Sequence, residues 1–401
     1  MNRTADAARS GLRVAFVSYQ RRWTGAALSL LGLLDGLPAH GVVPHVVVQA
    51  NSPIVPSIAA RNIPLAQFRL RRWMEPRAGA LWPAQALGRM ASNVASLPRL
   101  IRQLRAWHID VIVTNTSIVP VGGFAAAVLG RPHVWIVREF GLADSGSHHD
   151  FGRGFFDFWF RRATRVIAVS EAVRAAVLGD LPRDRIDVIH NGVAFASDFP
   201  KLLQRARAER RDPHRFAFLL AGRIQPSKGQ ETAIRALARL KTAFPEARLE
   251  IVGGGEAWHV EQCKTLVNEL ELRDRVTFHG HVADPWPHFV HADAVLMCSA
   301  SEAMGRVTAE AMAAARPLIG HATGGTPELV RHGRTGLLYS GGDEALAASM
   351  RCVLEQPEWS RQLGEEAWRD ASQRFTIERY AERVARSLRD ALAGQNGQGR
   401  P

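Results

Sequence analysis

Short apolar runs alternate with amphipathic stretches along most of the chain. In the first half the runs are Leu12–Ser18, His45–Val48, Asp110–Thr114, His133–Val137, Arg165–Ser170 and Ile186–Ile189. They are almost continuously apolar, which predicts strands buried on both faces, as in a parallel sheet covered by helices. A Leu- and Ala-rich segment, Ala27–Leu37, is the first intervening helix. The alternation resumes with strands at Arg215–Leu220, Arg248–Val252, Val276–Phe278, Ala292–Ser299 and Pro317–Gly320, and a helix at Gln230–Leu240. The pattern predicts an α/β chain of two Rossmann-like doubly wound domains, 1–194 and 215–375. Residues 195–214, polar and basic, read as a linker. A helix over 376–393 and a frayed tail over 394–401 complete the chain. Ligands of such sheets bind at the carboxyl ends of strands, where Gly25, Asn115, Arg138 and Glu139 fall.

The segment Ser301–Ala313 concentrates candidate chemistry. Glu302 and Glu310 flank Gly305, after a buried strand and before a small-residue helix. A helix N-terminus carries unpaired N–H groups and the positive end of the dipole, which favour a phosphate. Side chains tilt toward the helix N-terminus, so Glu310 leans over the same opening. Acids beside an anion site suit a ligand with both hydroxyls and phosphate, such as a sugar nucleotide. Gly222, Arg223 and Lys228 lie in another strand-to-helix loop. Two cations there suit a diphosphate, Arg by forked hydrogen bonds and Lys as a point charge, although an ordinary solvated loop has the same composition. Gly253-Gly254-Gly255 lacks the GxGxxG spacing, which disfavours a dinucleotide site. Gly324-Gly325-Thr326-Pro327-Glu328 reads either as a tight turn or as a loop offering N–H groups to phosphate.

Composition changes the picture in one respect. Apolar residues make up 46% and charged residues 22%, ordinary for a soluble globular protein. Three separated cysteines argue against a disulfide framework or zinc site and for a reducing, cytoplasmic setting. No apolar run is long enough to span a bilayer, and no secretory signal is evident. Charge, however, is lopsided: residues 1–194 hold 23 Arg, no Lys and 12 acids, a net of +11, against +2 for the rest. Between Arg61 and Arg105 there are nine Arg and one acid, interleaved with Leu and Trp. Phe151–Arg162 carries six aromatics in ten residues. Both stretches are candidates for resting on an anionic membrane, on the inner face of the cell membrane, as alternatives to plain helices and core. No familiar nucleic-acid motif appears, so no nucleic-acid partner is expected.

Taken together, Arg223–Gly229, the strand before Glu302, the seven-residue gap between Glu302 and Glu310, Gly324–Val330 and Gly333–Tyr339 resemble glycosyltransferase family 4. The first half agrees more loosely, through Gly25, Val169-Ser170-Glu171 and His190–Val193. The resemblance implies a GT-B fold, with two Rossmann-like domains facing a cleft and a C-terminal helix that crosses back to the first. It implies a retaining hexosyltransferase using a nucleotide diphosphate sugar and a glycan or lipid-linked acceptor, in cell-surface polysaccharide or glycolipid synthesis. No cofactor and no metal are expected. Arg223 and Lys228 match the pair that holds the donor diphosphate, Glu310 the acid on the ribose, and Glu302 the acid at the reaction centre. Backbone around Met304, Gly305, Arg306 and Val307 would approach the sugar or phosphate. Closure about 194–214 would complete the site.

Three departures stand out. Many members have a His after the fourth strand of the first domain; here Arg138-Glu139-Phe140-Gly141 stands there. Glu139 or Arg138, or His148 and His149 just beyond, are the acceptor-side candidates. The first loop has one glycine, Gly25, where two are common. Ala303-Met304 and Ala315 are substitutions of modest size. Two rival readings share the features: a phosphorylase- or sucrose-synthase-like enzyme, and a non-catalytic nucleotide-sugar-binding protein.

Overall fold

The computed structural model describes residues 11–75, 81–141, 148–179, 181–208 and 214–397. The final residues of the expected tail and part of the expected linker lie outside them. The chain forms two compact units, one of Met1–Gly192 with Ile377–Pro401 and one of Val193–Thr376.

The first unit is built on β1 (Leu12–Ser18), β2 (Val42–Gln49), β3 (Leu65–Phe68), β4 (Met74–Glu75), β5 (Val111–Thr114), β6 (His133–Val137), β7 (His148–His149), β8 (Arg165–Ala168) and β9 (Ile186–Val188). Seven of these make a parallel sheet in the order β3-β2-β1-β5-β6-β8-β9, while β4 and β7 pair antiparallel as a separate ribbon. Strand order reverses between β1 and β5, the crevice position of a doubly wound sheet. β1, β5 and β6 are buried on both faces along most of their length, as their continuous apolar runs require.

The C-terminal helix Ile377–Gly397 belongs to this unit. It packs on the helix Gly25–Gly36, where a Cβ on Gly36 would lie 2.7 Å from the Ala381 Cβ. Glycine there lets the two backbones approach. The aromatic run considered for a membrane is partly core: two of its six rings are buried, two half-buried and two exposed. Phe156 and Phe160 are buried, and Trp135 stacks on Phe160 at 4.6 Å while Trp73 packs on Phe156 at 5.5 Å. The helix Gly152–Arg162 turns one aromatic face inward, and Phe158 is the member left most exposed.

The second unit repeats the plan with β10 (Phe216–Ala221), β11 (Ala247–Val252), β12 (Val276–Gly280), β13 (Ala294–Met297), β14 (Leu318–His321) and β15 (Leu337–Tyr339). All are parallel, in the order β12-β11-β10-β13-β14-β15, with the reversal between β10 and β13. Residues expected to be a linker belong to this unit. Phe199–Ala208 is a helix whose Phe199, Leu202 and Ala206 are buried. Trp368 Nε1 donates to the Phe199 carbonyl at 2.9 Å. Apolar positions at 199, 202 and 206 form a helical stripe, hidden in sequence by the Lys, Gln and Arg residues between them.

Candidate functional site

The loop after β10 is held in place by its neighbours' backbones. Gly222 N donates to Val252 O at 2.8 Å and Ile224 N to Gly254 O at 2.9 Å. A Cβ on Gly253 would sit 1.9 Å from Gly222 O, and one on Gly255 would sit 2.4 Å from Ile224 O. The triple glycine therefore brings the post-β11 turn against the post-β10 loop. Gln230, fully buried, adds a side-chain brace: its Nε2 donates to Arg223 O at 3.0 Å. The loop then closes in the short turn Pro226–Lys228, capped by Gly229 in the left-handed region. A Cβ on Gly229 would lie 2.3 Å from Cys298 O, and Ala300 N donates to Ser227 O at 3.0 Å. The turn is thus pinned to the loop that follows β13, the neighbouring strand across the reversal.

That pinning brings together two side chains 74 positions apart, with Lys228 Nζ 2.5 Å from Glu302 Oε2. The Arg223 guanidinium pairs with Glu256, while its Nε is buried with no partner among the described residues. Glu302 is held through its backbone. Its carbonyl accepts from Gly325 N at 2.7 Å, and a Cβ on Gly324 would lie 2.3 Å from the same oxygen. The Gly324-Gly325 turn therefore braces the acid's loop, and the Gly325 N–H is engaged there rather than turned to a ligand. His321 and Thr323 brace it further: His321 Nδ1 and Thr323 Oγ1 each lie 3.2 Å from Ser299 O.

The helix Arg306–Ala313 starts at Gly305, with φ of +87° and no side-chain cap on its first turn. Met304 is buried beneath it, and Val307 is half-buried in that first turn. Glu310 sits one turn in, and its Oε1 lies 2.7 Å from Arg306 Nε, so the carboxylate leans toward the helix start. Burial pushes the Glu310 carboxyl above the ordinary carboxylate range, and Arg306 pulls partly the other way. The Thr308 hydroxyl, in the same turn, is buried with no partner among the described residues. Lys228, Glu302, Arg223, Gly305 and Glu310 thus occupy adjoining strand ends of one unit. Gln230, His321, Thr323 and Thr308 were not singled out in the sequence, because uncharged or singly placed polar side chains give no signal of their own even beside the charged and glycine-rich motifs.

The acceptor-side candidates lie in the first unit, and two are framework residues. Arg138 is buried; it donates to Asn115 Oδ1 at 2.9 Å and 3.1 Å, to Asn191 Oδ1 at 2.5 Å and to the Tyr380 hydroxyl at 2.7 Å. Glu139 accepts from Thr116 Oγ1 at 2.6 Å, Ser117 Oγ at 3.0 Å and Ser117 N at 3.1 Å. The two side chains tie the ends of β5 and β6 to the C-terminal helix. His149 packs on Phe156 at 4.1 Å and is pushed down to about 4, chiefly by burial and then by Arg153, so its ring is neutral near pH 7. Gly25 opens the first helix at an exposed position, beside an N-cap in which Thr24 Oγ1 accepts from Ala27 N at 3.3 Å.

Two family models match the chain: one described as Glycosyltransferase Family 4 over residues 23–196, the other as Glycosyl transferases group 1 over residues 204–370. A D-inositol 3-phosphate glycosyltransferase of Pseudarthrobacter chlorophenolicus is 37% identical over 188 residues, 45% of this chain and 44% of that protein. A putative glycosyltransferase of Bacillus subtilis, YtcC, is 29% identical over 254 residues, 58% of this chain and 62% of that protein. The chain thus spans roughly half the length of the curated relatives it matches. Among solved structures, Anabaena Alr3699/HepE in complex with UDP-glucose superposes with a TM-score of 0.75 at 24% identity, over 94% of this chain and 99% of that one. Sucrose-phosphate synthase from Thermosynechococcus elongatus gives 0.72 at 22% identity, over 95% and 99%. These neighbours share the fold.

Proposed function

Because the chain belongs to the group 1 glycosyltransferases of family 4, we propose that it is a retaining hexosyltransferase that draws on a nucleotide diphosphate sugar. The observation that carries this reading is the Lys228–Glu302 pair, assembled at the strand reversal of the second unit beside an unpartnered Arg223 Nε. A donor diphosphate would take over Lys228 and Arg223, both now paired to carboxylates, and their charge would offset that developing on the leaving group. Exchange of partners frees Glu302 to face the sugar. Glu310, held near the helix start, is placed to accept from ribose hydroxyls, and Gly305 lets backbone N–H groups come close. A uridine diphosphate sugar is the first donor to try, since the neighbour Alr3699/HepE was solved with UDP-glucose. The leaving diphosphate would help deprotonate the acceptor hydroxyl, so no protein nucleophile is invoked. We place the acceptor among glycans and lipid-linked sugars, in cell-surface polysaccharide or glycolipid synthesis.

A membrane-surface role for the first unit is supported by the helix Trp82–Ala106. Leu87, Val94, Arg102 and Arg105 fall on one exposed stripe, apolar at one end and basic at the other. No helix among the described residues is long and apolar enough to cross a membrane. The test of the catalytic reading is transfer from a panel of nucleotide sugars by wild type, Lys228→Ala and Glu310→Ala. Loss of turnover by about 100-fold or more, with unchanged circular dichroism, is expected of both. Wild-type kcat/KM in both variants sinks the donor-site assignment, and donor binding without transfer or hydrolysis favours a non-catalytic binder.

A further inference from the structure

The second unit carries a cluster that the donor site does not use. Glu250, His279 and His288 each offer one ligand atom, and these atoms all lie within 4.8 Å of one another. Glu250 is on β11 and His279 on the adjacent β12, while His288 is on the helix Trp286–His291. The register explains the meeting. Glu250 is opposite Thr277, and although the register shifts just after Ile251, Thr277 and His279 are both exposed while Val276 and Phe278 pack on the core, which keeps His279 on the face of Glu250. Leu249 and Ile251 point to the other face, into the hydrophobic core.

Glu250 Oε2 lies 3.4 Å from His279 Nε2 and 3.9 Å from His288 Nδ1. Tetrahedral zinc with bonds of about 2.0–2.1 Å holds its ligand atoms about 3.3 Å apart; the Glu250–His279 spacing already matches, and His288 closes by side-chain rotation from within 4.8 Å. The other carboxylate oxygen, Oε1, is taken by Arg215, which fixes the carboxylate with Oε2 turned to the two imidazoles. Arg215 also brings a positive charge; its side chain is 48% exposed, so water screens it.

We infer that Glu250, His279 and His288 form a binding site for one divalent transition metal ion of the zinc class. Two imidazoles and one carboxylate suit zinc, cobalt or nickel and disfavour magnesium or calcium. With a water as fourth ligand, the ion would clip the edge strand β12 to β11 and to the helix Trp286–His291. The ion has no part in the transfer chemistry proposed above.

The test uses full-length, tag-free protein stripped with a chelator and titrated with Co²⁺, then with Zn²⁺. The expected result is uptake of one equivalent, visible Co²⁺ absorption bands that Zn²⁺ abolishes, a rise in Tm, and ring-¹⁵N shifts confined to His279 and His288. Affinity should fall at least tenfold in His279→Gln and in Glu250→Gln, each showing wild-type circular dichroism before metal is added. Absence of one-equivalent uptake by the wild type overturns the site, and so does unchanged affinity in both variants. The wild-type ring shifts decide the matter if a variant fails to fold, since shifts at other histidines also overturn it.

Discussion

Replacing Gly229 by Ala tests whether the proposed donor-site geometry depends on loop contact rather than on the charged residues alone. Gly229 has φ of +74°, and an added Cβ would stand 2.3 Å from Cys298 O and 2.7 Å from the Cys298 Cβ. The left-handed conformation costs about 1–2 kcal/mol for a residue with a Cβ. Ordinary contact between carbon atoms is about 3.5–4.0 Å, so the Pro226–Lys228 turn must withdraw from the 298–302 loop by about 1 Å. That withdrawal carries Lys228 away from Glu302, from which it is 2.5 Å at present. A misplacement of about 1 Å at a reacting centre costs on the order of 100-fold in rate. Gly229→Ala should therefore lower kcat/KM for the sugar donor by about 100-fold. At about 2–4 °C per kcal/mol for a domain of this size, the conformational cost alone lowers Tm by only about 2–8 °C. Steady-state kinetics with the best donor, together with differential scanning fluorimetry, measure both. Gly88→Ala is the control: Gly88 lies within the helix Trp82–Ala106 with open space around it, and the change should stabilise by up to about 1 kcal/mol. Wild-type kcat/KM in Gly229→Ala would refute the claim that this contact sets the Lys228–Glu302 geometry.

Other perturbations test the framework. Phe199→Ala should destabilise by about 3–5 kcal/mol in urea titrations if 199–208 is a core helix, whereas a linker residue would cost almost nothing. Arg138→Lys loses the planar fork shared among Asn115, Asn191 and Tyr380; a loss of about 2–3 kcal/mol is expected, and under 0.5 kcal/mol would deny it a framework role. His133 is buried and pushed down to about 3 by that burial, from an ordinary value of 6.5. The unfolded chain then binds the extra proton, so this contribution to stability is full above about pH 6.5 and lost as pH falls toward 3. Between pH 6.5 and 5 it amounts to about 1.5 kcal/mol. His133→Gln should flatten the pH dependence of stability by that amount, and an unchanged slope would count against the neutral buried ring.

The strands were legible because a two-sided parallel sheet demands continuous apolar runs, and Val14–Val17 or Val111–Val113 admit few other readings. Glu302, Lys228, Arg223 and Gly305 stood out for a different reason: they fall in the loops at the carboxyl ends of strands, where ligands of such sheets bind. What sequence reading missed shares one physical cause, namely partners distant in sequence. Phe199–Ala208 looks polar when averaged, and only the buried positions 199, 202 and 206 show that one stripe meets a core. Arg138 and Glu139 look like site residues because they follow a strand. Their hydrogen bonds to Asn115, Thr116, Asn191 and Tyr380 also fasten the strand ends, a role that sequence alone does not reveal. The Phe151–Arg162 aromatics look interfacial until Trp73 and Trp135 are seen against them. Glu250, His279 and His288 were invisible because β-sheet register and one short helix bring them together from three separate segments. A ligand atom's type is written locally, but its aim depends on which strand becomes its neighbour. The same register that makes β11 and β12 adjacent is thus what the cobalt titration interrogates.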